Sequence, residues 1–104
     1  GCLERLVSAG VLVGAITNGL GDPRDIPTLA PYFSFCVSGE DADVFPHRKP
    51  SRIIYDKAVA RATACGWQGQ IGDSASQDSD WWHVGDCETN DVRAASGVGM
   101  RTVL

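Results

Sequence analysis

The chain has 104 residues, of which 43% are hydrophobic and 21% are charged, with 12 glycines and 5 prolines. This length and composition are typical of one globular domain with a core of limited size. Nine basic residues against 13 acidic ones give a formal charge of −4, which argues against a nucleic-acid partner because such proteins carry a clustered basic excess. No apolar run approaches the roughly 18 residues of a membrane span, so no membrane partner is expected.

The chain contains four cysteines, and none of their spacings is typical of a zinc site. They are Cys2, Cys36, Cys65 and Cys87. An even number permits disulfides, but the N-terminus does not resemble a secretory signal peptide. We therefore expect reduced thiols and a cytoplasmic protein.

Helix-like and strand-like segments alternate along the chain. Apolar residues at helical spacing predict a helix over 2–9, and the apolar run 11–17 predicts a strand buried on both faces. The later elements are predicted as a short helix within 26–33, a strand over 35–38, a helix over 51–65, an exposed loop over 68–80, a strand over 81–84, a short helix over 90–96 and a strand over 101–104. Strands separated by helices predict right-handed crossovers and hence an α/β fold with a parallel sheet.

The carboxyl ends of the predicted strands are the places where an α/β sheet binds ligands. The strongest signal is the segment 85–91, in which Asp86 follows a strand and Asp91 begins the next helix. Two carboxylates at one strand end supply the oxygen ligands that Mg²⁺ prefers. Taken alone, the segment is explained about equally well by a metal site and by Asp86 capping a turn and Asp91 capping a helix.

Two other segments also lie at predicted strand ends or helix starts. Thr17 and Asn18 offer hydroxyl and N–H donors to an anion, and Lys49, which precedes Pro50, can pair with a phosphate. Taken alone, these residues are better explained as a strand ending in a turn and as a solvated lysine. His83, inside a predicted strand, is interpreted as an ordinary packed or surface histidine.

In order and spacing, the three segments together resemble the second, third and fourth motifs of the haloacid dehalogenase (HAD) superfamily. The segments are Thr17-Asn18-Gly19, Lys49-Pro50 and Gly85-Asp86-x-x-x-Asn90-Asp91. The resemblance runs from about Leu3 to Leu104. It implies a partial catalytic core over 1–104 with an incomplete three-layer, Rossmann-like parallel sheet, and no second domain in this chain.

The resemblance also implies an activity: a Mg²⁺-dependent phosphohydrolase that acts on a small phosphorylated metabolite through an aspartyl-phosphate. Thr17 and the Asn18 N–H would bind the phosphoryl group, and Lys49 would neutralise its charge. Asp86 would ligate Mg²⁺, and Asp91 would bind the ion through water or orient Lys49. These roles agree with the chemistry, because phosphoryl transfer requires mainly positioning and charge stabilisation.

The first motif of the family, Asp-x-Asp-x-Thr after an apolar strand, is absent from the chain. Paired aspartates occur in 41–45 and 78–82, but neither pair follows an apolar strand or precedes Thr17. The resemblance therefore implies that the nucleophile, the central strand that carries it and any helical cap lie outside this chain. We expect a fragment that is inactive and not natively folded alone, and whose partner is an N-terminal segment of the same protein or a complementary chain.

Two alternative functions remain open. A non-catalytic HAD-like protein that uses the fold for binding or assembly would also lack the nucleophile. A dehalogenase of the same fold is less favoured, because displacement at carbon without a metal does not need the carboxylate of Asp86. An upstream Asp-x-Asp-x-Thr would favour an enzyme, and phosphate or halide release would distinguish the two reactions.

Overall fold

A computed structural model describes residues 1–71 and 79–103. Its elements in chain order are α1 (Cys2–Ser8), β1 (Gly14–Thr17), β2 (Phe35–Ser38), α2 (Arg52–Ala64), β3 (Trp82–Val84), α3 (Ala94–Gly97) and β4 (Arg101–Val103). Between β1 and β2 lie two short 3₁₀ turns, and a π-helical segment leads directly into α3. None of the helices within these residues is long and apolar enough to cross a membrane.

The four strands form two separate parallel sheets. Strand β1 pairs with β2, with Gly14 opposite Phe35, and β3 pairs with β4, with Trp82 opposite Arg101. The predicted α/β class with parallel strand pairing is confirmed. The single three-layer sheet stays a prediction, because no strand described here joins the two pairs.

Helix α2 forms the core with β2. It begins where the Ser51 hydroxyl accepts a hydrogen bond from the N–H of Ile53 at 3.3 Å, the interaction that defines an N-cap. Its buried residues recur at steps of one, three and four, which places them on one face of the helix. They are Ile54, Tyr55, Ala58 and Ala62. All four residues of β2 are buried, and Phe35 and Val37 belong to the same core cluster as this face of the helix.

The predicted helix within 26–33 is wrong. The chain instead forms the 3₁₀ turns Pro23–Asp25 and Ala30–Tyr32, the first of which is capped by the Asp22 carboxylate through the N–H of Arg24 at 2.8 Å. Prolines interrupt this segment, and each one removes a backbone donor and disfavours helical geometry in the residue before it.

Several predicted boundaries also need correction. Strand β1 begins at residue 14 instead of 11, and the helix expected over 90–96 is a π-helix over Glu88–Arg93 followed by α3. The wider π turn arises because the N–H of Val92 donates to the carbonyl of Cys87, five residues earlier, at 3.2 Å. Part of the loop expected over 68–80 and the last residue of the strand expected over 101–104 lie outside the described residues.

The expected burial of the strands on both faces holds only for β2. Every residue of β1 is half-buried, and Trp82 and Val84 of β3 are 57% and 71% exposed. The reason is that α2 covers one side of the strands, whereas α1 packs against the second 3₁₀ turn. The four cysteines are free thiols, as expected.

Candidate functional site

The segments that follow β1 and β2 meet through Asn18 and Lys49. The Asn18 Oδ1 accepts a hydrogen bond from the N–H of Lys49 at 2.6 Å, and its Nδ2 donates to the Lys49 carbonyl at 3.3 Å. One side chain therefore satisfies both backbone groups of a residue 31 positions away. Arg48 adds to this contact, because its guanidinium donates to the Asn18 carbonyl at 3.4 Å and to Glu40 at 2.6 Å.

Lys49 connects this loop to the segment that follows β3. Its ammonium Nζ donates to Asp91 Oδ1 at 2.7 Å, across 42 positions of the sequence. The side chain of Lys49 is only 14% exposed, and Asp91 is 4% exposed, so this ion pair is largely shielded from water. The structure thus brings Asn18, Lys49 and Asp91 into direct contact.

The carboxylate of Asp91 is surrounded by N–H donors. His83 Nε2 lies 3.1 Å from Oδ1, which also accepts from Lys49, and the Cys87 N–H donates to Oδ2 at 3.1 Å. Burial alone raises the pKa of Asp91, but the hydrogen bonds from Lys49, His83 and Cys87 outweigh it and lower the pKa to about 2. Asp91 is therefore ionised at neutral pH.

Gly85 allows this carboxylate to approach the backbone closely. A methyl group on Gly85 would lie 2.2 Å from Cγ of Asp91, a distance that no real side chain tolerates. The next residue, Asp86, is exposed and lines the same cavity as Lys49 and Asp91. Gly85 thus allows the Asp91 carboxylate to lie inside the site. Asp86 leaves a second carboxylate at the exposed edge of the site, its rim.

Thr17 lies next to this cluster without touching Lys49 in the hydrogen-bond network of the described residues. Its hydroxyl Oγ1 accepts a hydrogen bond from the N–H of Gly19 at 3.1 Å and so closes the turn after β1. Ser38, which pairs with Thr17 in the sheet, donates its own hydroxyl to the Gly19 carbonyl. The turn that carries Thr17 and Asn18 is therefore fixed from both strands.

His83 and Tyr55 complete the inner side of the site, and the sequence did not reveal their partners. The rings of Tyr55 and His83 pack edge to face, with their centroids 5.4 Å apart. The Tyr55 hydroxyl donates a hydrogen bond to the Asn90 carbonyl. Burial, followed by the negative charge of Asp91, raises the pKa of Tyr55. Alternation along β3 gave no usable signal, because the apolar residues on either side of His83 are exposed and His83 itself is buried.

The aspartate pairs considered as a first motif lie elsewhere. Asp41 accepts from the N–H of Ser38 at 2.8 Å and pairs with Arg61 at 3.2 Å, and Asp43 pairs with the same arginine at 2.9 Å. Asp80 accepts from Gln70 at the opposite end of β3 from the site. Asp78 lies outside the described residues.

The donor set at this rim is compatible with Mg²⁺. The ion usually binds one or two carboxylates, keeps several waters and contacts a substrate phosphate, and Asp86 presents one exposed carboxylate beside the site. Asp91 differs, because both of its oxygens already accept N–H donors. Within residues 1–71 and 79–103, no group of three or more His, Cys, Asp or Glu side chains could hold a metal ion without further ligands.

A family model described as HAD-hydrolase-like matches residues 46–104, more than half of the chain. The chain therefore belongs to the HAD-like hydrolases. The matched range contains Lys49, Asp86 and Asp91, whereas Thr17 and Asn18 precede it. No curated protein and no solved structure matches the chain.

Proposed function

We propose that this chain is the phosphate-binding and metal-binding part of a Mg²⁺-dependent phosphohydrolase that acts on a small phosphorylated metabolite. The observation that carries the proposal is the ammonium of Lys49, held 2.7 Å from the buried carboxylate of Asp91 where the segments after β1, β2 and β3 meet. A cation fixed at the carboxyl ends of parallel strands is the feature that binding of a phosphoryl group requires.

Lys49 would contact the phosphate, and Asp91 would position the ammonium of Lys49. Because Asp91 stays ionised to low pH, it holds the ammonium in one place before substrate arrives. Such preorganised charge stabilises a phosphoryl-transfer transition state more effectively than a mobile lysine does. The hydrogen bonds of Asn18 to the Lys49 backbone fix the other end of the same residue.

Thr17 and the N–H of Asn18 would bind the remaining phosphoryl oxygens from the turn after β1. Asp86 would hold Mg²⁺ at the rim, where the bound ion would shield the negative charge of the phosphate. These assignments leave Asp91 as a positioning residue, since its oxygens are occupied by Lys49, His83 and Cys87.

The nucleophile would be an aspartate carried by a segment other than these 104 residues. Its carboxylate oxygen would form a bond to phosphorus while the ester P–O bond breaks and the leaving alcohol takes up a proton. Water would then attack the aspartyl-phosphate, releasing inorganic phosphate and restoring the carboxylate. The chain by itself would be inactive.

The proposal is tested with the complete gene product and a panel of phosphate monoesters that includes p-nitrophenyl phosphate. We expect phosphate release that EDTA abolishes and Mg²⁺ restores. Asp86→Asn should lower kcat/KM at least about a hundredfold, because the metal loses its carboxylate at the rim. Glu88→Gln is the matched control, since Glu88 is an exposed neighbouring carboxylate whose ion pair within the described residues is with exposed Arg93.

Three results would contradict the proposal. Metal-independent phosphate release that Asp86→Asn leaves unchanged would refute the role of Asp86. Halide release from a 2-haloacid without metal would identify a dehalogenase. Absence of any turnover in a gene product that contains a paired-aspartate segment would favour a non-catalytic binding protein.

A further inference from the structure

His83 is a buried polar residue in the middle of β3. Its side chain is 9% exposed, whereas its strand neighbours Trp82 and Val84 are exposed. Burial of an imidazole is unfavourable unless its polar atoms find partners, because they lose their hydrogen bonds to water. The partner within the described residues is Asp91, whose Oδ1 lies 3.1 Å from Nε2 of His83. Contact with the candidate site therefore accounts for a buried histidine at this position.

The imidazole is the donor in this hydrogen bond. Asp91 has a pKa of about 2, and an ionised carboxylate can only accept. Nε2 of His83 therefore carries a proton in the folded protein at neutral pH. A histidine protonated only at Nδ1 would instead direct a lone pair of Nε2 at the negative charge of the carboxylate.

Three donors hold the Asp91 carboxylate in one orientation. Its Oδ1 accepts from the Lys49 ammonium at 2.7 Å and from His83, and its Oδ2 accepts from the Cys87 N–H at 3.1 Å. Two donors at Oδ1 occupy both lone pairs of that oxygen. Without His83, the carboxylate would be anchored through Oδ2 and could pivot about its bond to the Cys87 N–H. The Lys49 ammonium would move with it, because a lysine side chain is long and flexible.

The imidazole of His83 is itself held in place by α2 and β4. Tyr55 of α2 is fully buried, and the rings of Tyr55 and His83 meet at an interplanar angle of 84°. The Tyr55 hydroxyl donates to the carbonyl of Asn90, the residue before Asp91. On the other side, His83 lies opposite Thr102 in the β3–β4 ladder. A ring packed in this way restricts the carboxylate instead of following it.

We propose that His83 is a positioning residue for the cation of the site: it fixes the carboxylate of Asp91, which in turn fixes the ammonium of Lys49. An ammonium has three N–H donors, so the contact with one oxygen of Asp91 leaves up to two for a phosphoryl group. Their value in phosphoryl transfer depends on their placement, because a displacement of about 1 Å can lower a rate roughly a hundredfold. The catalytic consequence rests on the proposed function, whereas the positioning of Lys49 does not.

The first test uses the unaltered, complete gene product labelled with ¹⁵N at histidine. Long-range ¹H–¹⁵N spectra report which imidazole nitrogen carries a proton. We expect Nε2 of His83 to be protonated throughout the range from pH 6 to 8, and His47, which is exposed, serves as the reference within the same segment. A bare Nε2 on His83 would overturn the proposal, and this result requires no variant to fold.

The second test compares His83→Gln with His83→Asn in the complete gene product. The glutamine amide can reach the position of Nε2, whereas the shorter asparagine amide reaches only that of Nδ1. Both variants lose the ring, so their difference isolates the donor to Asp91. We expect the ammonium protons of Lys49 to exchange with water about fivefold faster or more in the asparagine variant than in the glutamine variant. Equal exchange in the two variants would contradict the proposal.

Turnover of p-nitrophenyl phosphate with Mg²⁺ tests the catalytic consequence in the same proteins. We expect His83→Asn to lower kcat about tenfold or more with little change in KM, and His83→Gln to recover most of the loss. Full activity of His83→Asn in an active enzyme would refute this consequence. No turnover by the unaltered protein, together with the expected difference in ammonium exchange, would refute the proposed function and support the positioning of Lys49.

Discussion

Replacement of Lys49 by methionine tests the central ion pair directly. Methionine keeps the length and apolar stem of the side chain and removes the ammonium that Asp91 accepts from at 2.7 Å. Asp91 would remain buried, with only the His83 and Cys87 donors to oppose the effect of burial. We therefore expect the pKa of Asp91 to rise in Lys49→Met from its value of about 2.

The magnitude follows from the link between pKa and stability. The pKa of Asp91 falls from 3.8 to about 2 on folding, which corresponds to about 2 kcal/mol of unfolding free energy. Because the folded-state pKa is the lower one, this contribution is present above pH 4 and is lost as the pH falls toward 2. Lys49 is one of the three donors that produce this shift, so Lys49→Met should cost on the order of 1–2 kcal/mol at pH 7 and much less near pH 2.

Two measurements check this prediction. Urea unfolding of the complete gene product, followed by tryptophan emission, gives the free energy of unfolding at pH 7, 4 and 2.5, and the ¹³C shift of the Asp91 carboxyl gives its pKa. Lys57→Met is the matched control, because Lys57 forms no ion pair with the residues described. If Lys49→Met cost the same free energy at every pH, or left the Asp91 titration unchanged, the ion pair would not have the role assigned to it.

Two further substitutions probe the surroundings of this pair. Gly85→Ala should destabilise the complete gene product by about 2 kcal/mol or more, because its methyl would lie 2.2 Å from Cγ of Asp91. A urea-unfolding midpoint equal to that of the unaltered protein would contradict this prediction. Tyr55→Phe should cost about 1 kcal/mol through loss of the hydrogen bond to the Asn90 carbonyl. Calorimetry would measure the Tyr55→Phe effect, and a stabilised variant would show that the hydroxyl is not a favourable donor.

The sequence predicted the positions of the strands well where local signals were strong. The strand over 35–38 was located correctly and the helix predicted over 51–65 within one residue at each end, because an apolar strand and an amphipathic helix leave clear patterns. The segment 26–33 was predicted wrongly, since its apolar residues suggested a helix that its prolines prevent. Local pattern therefore located the elements and did not show how far each one extends.

The contacts of the site were predictable only in part. Resemblance to a family selected Lys49 and Asp91, and the structure shows them in contact. The role of His83 was hidden, because a histidine in a strand has no distinctive pattern until its neighbour across space is known. The close approach at Gly85 was likewise suggested by the turn and became specific only when the carboxylate was found against it.

No ladder between the strands described here joins the two strand pairs. Side-chain contacts therefore account for much of their association. Besides α2, which packs against both halves, the pairs are joined by the Phe35–Trp81 ring contact near one end and by Lys49–Asp91 at the other. These two contacts respond differently to salt. Salt screens the ion pair to the extent that water reaches it and leaves the aromatic contact intact. Because Lys49–Asp91 is largely shielded from water, rising ionic strength should loosen neither end of the molecule much.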